Sequence, residues 1–579
     1  MISAGSPRAP VWLIGEAPGE EEVARGRPFV GASGLELNRM LSEAGLTRET
    51  CFLTNVVHER PPSYLKNGRW VHNDIDQWFL SKTAASSQGL GLVHGRHPSR
   101  HIRSGLAELA ASLDRYRPAT VIATGNTALW ALTGHNGITK WRGSVFDTSE
   151  PRDRGPAFAA VPSDVCPLVV ATFHPADVLR AWTHRPIVVH DLRRARRESR
   201  ERTPRPSWTF TIPTSRTQVY DWFADTRRSG ADASCSYVCD TEGWGRVDCV
   251  GFASSPSNAI CIPFKHETGG DTHYWSEPDE LALLTFLRDV LTSNEITFHN
   301  ALWDCQVIAG NWGFLPRLRH DTQVMQHVAF PGLLGGRIDP VSGQVDKRGS
   351  SLSLSFIASM YCSSYRYWKD DGRHFDPSVG DELDYWRYNC EDCVRTFECR
   401  EALLNVLDRS HLTAQYEEKM LEFGPVFAMM FRGIGYDQRA AELMRSRIVT
   451  SRDTVKRWLD FVTETDFNPN SVPQVRDLLY RDLRQPQVID KDTKAVTTKD
   501  YALERIRRRN PVLWPLCQQI ANFRTLDTVK DDCDPAFAGP DGRIHSALNV
   551  AFVETMRFSS NEDAFGRGGN VQNIKRSDE

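Results

Sequence analysis

The side chains best suited to chemistry in this sequence are acids at specific spacings. In SYVCDTEG, Asp240 and Glu242 stand two apart on a strand-like run. Side chains at i and i+2 of a strand share one face, so both carboxylates point to one spot. Two such groups repel and raise each other's pKa. A divalent cation removes that conflict, and oxygen ligands suit Mg²⁺ or Mn²⁺. ITFHNALWDCQVI sets Asn300 and Asp304 at i, i+4, and YWRYNCEDCVRTFE sets Tyr388 and Asp392 at the same separation. On a helix each pair lies on one face. Asp240, Glu242, Asp304 and Asp392 together predict a site for two cations about 4 Å apart, which activates a water and stabilises the leaving oxygen of a phosphodiester. Tyr388 is expected to orient the attacking water.

The chain that must position these residues has 579 residues and 65.4 kDa, enough for about four domains. Its 40% hydrophobic and 25% charged content is that of a globular protein and excludes disorder for most of its length. No run approaches the ~18–20 apolar residues of a membrane helix, and MISAGSPRAP holds no apolar signal core. A cytoplasmic protein with no membrane partner is expected. A net charge of -3 excludes a globally basic nucleic-acid coat, although local patches are compatible with it. The basic residues are mostly Arg, whose planar fork suits phosphate; a GC-rich genome gives the same bias. An odd number of cysteines, 13, argues for reduced thiols. The one CxxC, Cys390–Cys393, lacks a second ligand pair for zinc and reads as two thiols on a helix.

Three units follow from patterning, and the fold class is multi-domain α/β. Residues 8–192 alternate apolar runs (VWLIG, CFLTNVV, TVIATG, LVVATF) with helical patterns, which predicts a largely parallel sheet between helices. The basic, Pro-bearing segment 193–207 is expected to be a linker and a candidate contact to the DNA backbone. Residues 208–410 form a second α/β unit that opens with paired strands at SYVCDTEG and VDCVGFASS. From 411 to 579 the pattern is mainly helical.

The three acidic motifs in this order, with RHDTQVM (319–325) and SLSLSFIASMYC (351–362), resemble the DEDD 3′–5′ exonucleases, in the Tyr-containing subclass that proofreads for family A DNA polymerases. The resemblance covers about 235–405. It implies an RNase H-like domain with Asp240, Glu242, Asp304 and Asp392 as ligands of two Mg²⁺ or Mn²⁺ ions. It further implies Tyr388 as the water-positioning residue, Asn300 as a substrate contact, and a single-stranded 3′ end of DNA as substrate.

The N-terminal unit carries GEAPG (15–19), GRPFVG (26–31), TNVV-x-x-RPP (54–62), VIATGNTALWALTG (121–134), Arg142-Gly143 and His174-Pro175. In this order they resemble family 4 or 5 uracil-DNA glycosylases, over nearly all of 10–192. The resemblance implies a three-layer α/β/α domain with its pocket at the strands' carboxyl ends. Phe29 would stack on an extruded uracil and Asn55 read its pyrimidine edge. Gly15 and Pro18 would line the pocket, with Glu16 and Glu22 near the glycosidic carbon or the water. His174 would contact the O2 or phosphate side and stabilise the departing anion. Family 4 usually carries an iron–sulfur cluster on four cysteines. This unit has only Cys51 and Cys166, so no cluster is expected. Residues 62–100 replace the family's short cysteine-bearing segment.

The C-terminal patterns LEFGPVFAMMFRGIGYDQRAAEL, DFNPNSVPQVRDLLY, ANFRTLDTVKDDC and DGRIHSALNV…GNVQNIKRSDE resemble the thumb and first palm strands of family A DNA polymerases. Arg524 and the primer-template contacts Gln572 and Asn573 have counterparts there, while Met556 replaces the family's usual Gly. The palm's two catalytic aspartates and the fingers helix have no counterpart, so this chain alone is expected not to polymerise DNA. The order of units resembles DNA polymerases of some large bacteriophages. It implies the N-terminal portion of a replicative polymerase, acting in the host cytoplasm with DNA and the remaining polymerase portion as partners. Two alternatives stay open. One is a damage-sensing module with an inactive pocket, docked to a separate polymerase fragment. The other is a repair bifunctional whose main work is uracil excision.

Overall fold

The computed structural model describes residues 2–66, 69–229, 236–266, 272–332, 337–338, 345–346, 351–370, 381–490 and 495–573. The N-terminal region runs β1 (Val11–Gly15), α1 (Glu20–Arg25), α2 (Gly31–Glu43), β2 (Cys51–Asn55), α3 (Arg100–Tyr116), β3 (Thr120–Thr124), α4 (Asn126–Thr133), β4 (Val145–Asp147), β5 (Leu168–Thr172), α5 (Pro175–Arg180) and α6 (Arg185–Arg200). The strands pair in the order β2-β1-β3-β5-β4, all parallel except the edge strand β4. The apolar runs become β1, β2, β3 and β5, each buried throughout, as a sheet covered on both faces requires. Alternation sends Val11 and Leu13 into a core with α2 and α6, and Trp12 and Ile14 into a core with α3 and α4.

The basic segment 193–207 differs from the expected linker. Its first half is the end of α6, which continues to Arg200 and buries Arg194, Ala195 and Glu198. The physical reason is pairing. The Arg194 guanidinium donates to the carbonyls of Gly143 (2.6 Å) and Cys362 (3.0 Å), which removes it from solvent.

The middle region runs β6 (Thr209–Thr211), β7 (Ser236–Glu242), β8 (Cys249–Ser255), β9 (Asn258–Pro263), α7 (Glu277–Ser293), β10 (Glu295–Phe298), α8 (Ala301–Trp312), β11 (Leu318–Asp321), α9 (Thr322–Ala329), α10 (Leu354–Tyr361) and α11 (Glu382–Arg409). Its sheet has the order β11-β10-β7-β8-β9-β6. The expected strand pair is present as antiparallel β7 and β8. Val238, Cys249, Ala253 and Cys261 face α11 through Trp386, Cys390, Cys393 and Val394. Gly251 permits this close approach, because a Cβ there would lie 2.2 Å from Asn389 Oδ1 and 2.7 Å from Cys393 Sγ.

Beyond α11 the chain is mainly helical, and Leu459, Phe467, Leu479, Leu503, Ile520 and Phe523 belong to a core of their own. Arg524 donates to the carbonyls of Pro469 and Thr498 and so ties this region together. Gln572 and Asn573 fall in the short helix Val571–Asn573. Among the described residues no helix is long and apolar enough to cross a membrane.

The first two regions share a wall. Segment 359–370 of the middle region lies against the N-terminal one. Arg142 donates to Ser359 Oγ (2.5 Å), Val145 N to Tyr365 O (2.8 Å), and Tyr367 N to Ser144 Oγ (3.1 Å). Arg366 pairs with buried Asp153 at 2.8 Å, and Lys140 pairs with Asp370. The Trp141 and Tyr367 rings meet edge to face at 5.1 Å.

Candidate functional sites

A first site sits at the carboxyl ends of β1 and β2. Gly15 ends β1 and Asn55 ends β2, paired in register. Gly15 must be small, because a Cβ would lie 2.3 Å from Asn55 Oδ1 and 2.6 Å from Phe29 Cζ. Phe29 has φ 51, a left-handed conformation that a bulky residue adopts only under constraint. The constraint is visible. Arg48 donates to the carbonyls of Pro28 (2.6 Å) and Phe29 (2.8 Å), and the absent side chain of Gly34 makes room for the Phe29 carbonyl. Asn55 is 2% exposed, and its Nδ2 has no hydrogen-bond partner among the described residues. The His174 ring centroid lies 5.9 Å from that of Phe29. His174 caps α5, its Nδ1 accepting from Ala176 N at 3.2 Å. That assignment leaves the proton of the neutral ring on Nε2.

The two glutamates have different surroundings. Glu16 accepts from Thr127 Oγ1 at 2.6 Å, and burial raises its pKa against that bond. It opens on a cavity of about 500 Å³ lined also by Asn73, Asp74, Asp76, Arg96 and Asn126. Segment 62–100 thus supplies a wall that its sequence did not announce. Glu22 accepts from Gly19 N at 3.1 Å and from the backbone amides of Phe29 and Val30. It shapes the turn that presents Phe29. Pro18 is buried in the intervening loop. The cysteines of this region do not fit a four-thiolate cluster. Cys51 and Cys166 are its only two, and burial pushes the Cys51 thiol up to about 11.

A second site forms where β7 meets α11. One carboxylate oxygen each from Asp240, Glu242 and Asp392 lie within 4.8 Å of one another. Burial, then the charge of Glu242, pushes the Asp240 carboxyl well above the usual range, which is the conflict that a cation relieves. An oxygen-only set of this size suits a hard divalent cation. Asp304 is not in this group. Its Oδ1 accepts from Thr241 N (2.9 Å) and Thr241 Oγ1 (2.7 Å), and burial raises its pKa to about 7. Asn300 is the N-cap residue of α8 with φ 68; its side chain makes no capping hydrogen bond, and its backbone N–H donates to Asp321 Oδ1 at 3.3 Å. Tyr388 lies one turn before Asp392 on α11, as its spacing predicts.

Several residues at this site were not foreseen. Lys369 Nζ donates to Tyr388 Oη (3.1 Å) and to Asp392 Oδ2, while Trp368 Nε1 donates to Asp392 Oδ1 at 2.6 Å. Burial disfavours the Lys369 charge, but Asp392, Asp240 and Glu242 outweigh that and hold its pKa above the ordinary lysine value. Asn389 Nδ2 donates to Asp240 Oδ2 at 2.9 Å. The only signal in sequence was a Trp-Lys pair 19 residues before Tyr388.

Two buried imidazoles make an acid-sensitive contribution to this fold. Burial holds His174 and His320 down to about 4, against an ordinary 6.5. Between those values the unfolded chain binds protons that the folded chain does not, so stability falls as pH drops through that window. Each residue contributes up to ~3 kcal/mol, all of it present above pH ~6.5. The raised carboxyls of Asp240 and Asp304 act in the opposite sense, so the check is a difference: the change in melting temperature from pH 7.5 to 4.5 should be less unfavourable in His320→Gln than in the wild type, and an equal change would contradict the assignment.

A family model described as the uracil DNA glycosylase superfamily matches residues 2–195. A type-4 uracil-DNA glycosylase of Sulfurisphaera tokodaii is 36% identical over 118 residues, 20% of this chain and 52% of the relative. One from Thermotoga maritima is 28% identical over 200 residues, 34% of this chain and 81% of the relative. One from Saccharolobus solfataricus is 50% identical over 60 residues, 10% of this chain and 28% of the relative. The chain therefore spans about half the length of the first of these relatives. Among solved structures, the POL domain of Pol1 from M. smegmatis, in complex with DNA primer-template and dNTP, has a TM-score of 0.44 at 19% identity. The match covers 62% of this chain and 55% of that one. Residues 2–195 are a uracil-DNA glycosylase-like domain.

Proposed function

We propose that this chain acts on DNA at two centres, the first of which recognises and excises uracil. The observation that carries this reading is the buried, unpaired Nδ2 of Asn55 beside Phe29 and Gly15. A buried donor left unmade costs ~1–3 kcal/mol, and the edge of a flipped pyrimidine satisfies it. The base stacks on Phe29 while Asn55 donates to O4 and accepts from N3–H. The His174 Nε2–H donates to O2, so negative charge on the departing uracil is met by a neutral imidazole. The glycosidic bond breaks, water oxygen bonds to C1′ near Glu16, and the water's proton balances the uracil anion. Asn55→Ala and His174→Ala should each slow uracil release about 10²-fold, measured as alkali-labile breaks in a labelled strand.

A second reading of the middle region, 3′–5′ hydrolysis of DNA, is favoured by the convergence of Asp240, Glu242 and Asp392 beside Tyr388. Mg²⁺ or Mn²⁺ bound there would supply Lewis-acid stabilisation of the phosphodiester oxygens. Tyr388 would orient the attacking water. Trp244, 79% exposed and 5.4 Å from the Trp303 ring, offers a face on which a terminal base can stack. Proofreading during replication, with 411–579 as part of a family A thumb and palm, would use both centres on one strand.

The test is one 5′-labelled single strand containing a single uracil, incubated with the protein in Mg²⁺ or in EDTA. An alkali-labile break at the uracil in EDTA supports excision. A ladder of shortened 3′ ends in Mg²⁺ alone supports the hydrolase. A ladder without the break leaves the first domain as a sensing module. The absence of both signals would overturn both readings.

A further inference from the structure

We propose that Phe565 is a positioning residue for the strand end at the acidic centre, clamping together the two elements that carry Trp244 and Trp303. This rests on the hydrolase reading above. Trp244 lies in the loop 243–246, which follows Glu242 at the end of β7, and Trp303 lies on α8. The direct tie between loop and helix is long: Asn311 Nδ2 donates to the Gly245 carbonyl at 3.3 Å. The Phe565 ring bridges the same two elements. A Cβ added at Gly245 would lie 3.5 Å from Phe565 Cδ1, an ordinary contact distance. A Cβ added at Gly310, in the last turn of α8, would lie 2.2 Å from Phe565 Cζ. The ring therefore occupies the place of a Gly310 side chain and rests on the loop backbone at Gly245. Glycine weakens a helix, and here its missing side chain is what admits the ring.

The turn that presents the ring is itself fixed. Buried Asp563 accepts through Oδ1 from Phe565 N (2.9 Å) and Arg567 N (2.8 Å), and through Oδ2 from Arg567 Nε at 2.9 Å. Buried Ala564 donates its N–H to Gln306 Oε1 at 3.2 Å, two residues after Asp304 on α8. The Arg567 guanidinium lies 5.0 Å from the Phe565 ring centroid. A ring held this way sets the distance between loop 243–246 and α8, and so between Trp244 and Trp303, whose rings stand 5.4 Å apart. An unpaired terminal base offers a π-face to the exposed Trp244 ring. Loosening the clamp frees the loop and weakens that grip, while the carboxylates of Asp240, Glu242 and Asp392 stay on β7 and α11. The expected signature is a raised KM with kcat kept.

The experiment follows Mg²⁺-dependent shortening of a 5′-labelled oligodeoxythymidylate by the full chain and separates KM from kcat. Trp244→Ala, Phe565→Ala and Gly310→Ala are each expected to raise KM about tenfold, the size of a lost base–aromatic stack, with kcat unchanged. Gly310→Ala pushes the ring out from the opposite side, so it decides even if Phe565→Ala fails to fold. Phe565→Leu, which restores apolar bulk, should recover most of the loss. Trp244→Ala/Phe565→Ala should be no worse than Trp244→Ala alone, because both changes act on one grip. Effects that multiply in the double variant would overturn the inference. So would a wild-type KM in both Phe565→Ala and Gly310→Ala, or a fall in kcat with KM unmoved. Each of these leaves the hydrolase reading standing. No Mg²⁺-dependent shortening by the wild type would instead sink the hydrolase reading and the clamp with it.

Discussion

Replacing Asp240 and Glu242 together with alanine is expected to slow Mg²⁺-dependent shortening of a labelled 3′ end by ~10³-fold or more. Charge stabilisation by a bound cation amounts to several kcal/mol at the transition state, and each ~1.4 kcal/mol is a factor of ten. The variant should still fold. Its alanines remove two of three carboxylates whose oxygens lie within 4.8 Å and one of which, Asp240, is driven toward its neutral form by burial and by Glu242. In EDTA its melting temperature should therefore equal or exceed that of the wild type. Adding Mn²⁺ should stabilise the wild type, by ~2.7 kcal/mol at a hundred times the dissociation constant, and leave the variant unmoved. Uracil release in EDTA should be unchanged, because Phe29, Asn55 and His174 belong to the other centre. A doubly substituted protein that still shortens 3′ ends at the wild-type rate would remove the acidic centre from the reaction.

Asp191→Ala should be the most damaging single change to stability. Asp191 is 1% exposed and lies between β5 and the wall shared by the two regions. It pairs with Arg142 through both oxygens, accepts from Thr172 Oγ1 at 2.9 Å, and offsets the charge of buried Arg194. Removing it leaves two buried guanidinium groups without a carboxylate. An uncompensated buried charge of this kind costs ~3–5 kcal/mol. The loss should also cross the wall, because Arg142 holds Ser359 and Arg194 holds the Cys362 carbonyl. Thermal melting should fall by several degrees, and Mn²⁺ binding at the acidic centre should weaken in the same variant. A melting temperature within a degree of the wild type would show that the pair is not what secures the wall.

What could be read from the chain alone was whatever depends on short-range geometry. VWLIG and LVVAT are buried strands because a continuous apolar run has no other economical place in a sheet covered on both sides. Asp240 and Glu242 point the same way because they are two apart on a strand, and Tyr388 and Asp392 because they are four apart on a helix. Residues set by long-range contact were not legible. Lys369 looks like a surface lysine until segment 359–370 is seen pinned between two regions. Asp304 has the right spacing, yet Thr241, itself buried on β7, claims its oxygen. The arginines after residue 192 read as a solvated linker because charge runs usually are solvated. Here the partners of Arg194 are carbonyls at positions 143 and 362, distant in sequence. The left-handed turn at Phe29 is likewise imposed from outside, by Arg48 and Gly34.

The wall between the two centres also bears on inheritance. The residues that pin Lys369 on one flank belong to a domain with its own separate pocket: Lys140, Ser144 and Asp153. A recombination event that exchanged the first 195 residues for an unrelated domain would carry off those supports together with the pocket. The first two regions therefore do not behave as interchangeable cassettes. Over generations, substitutions at Asp153 and Arg366, or at Lys140 and Asp370, should travel as pairs. Drift in the glycosylase-like region is then constrained by packing against the other.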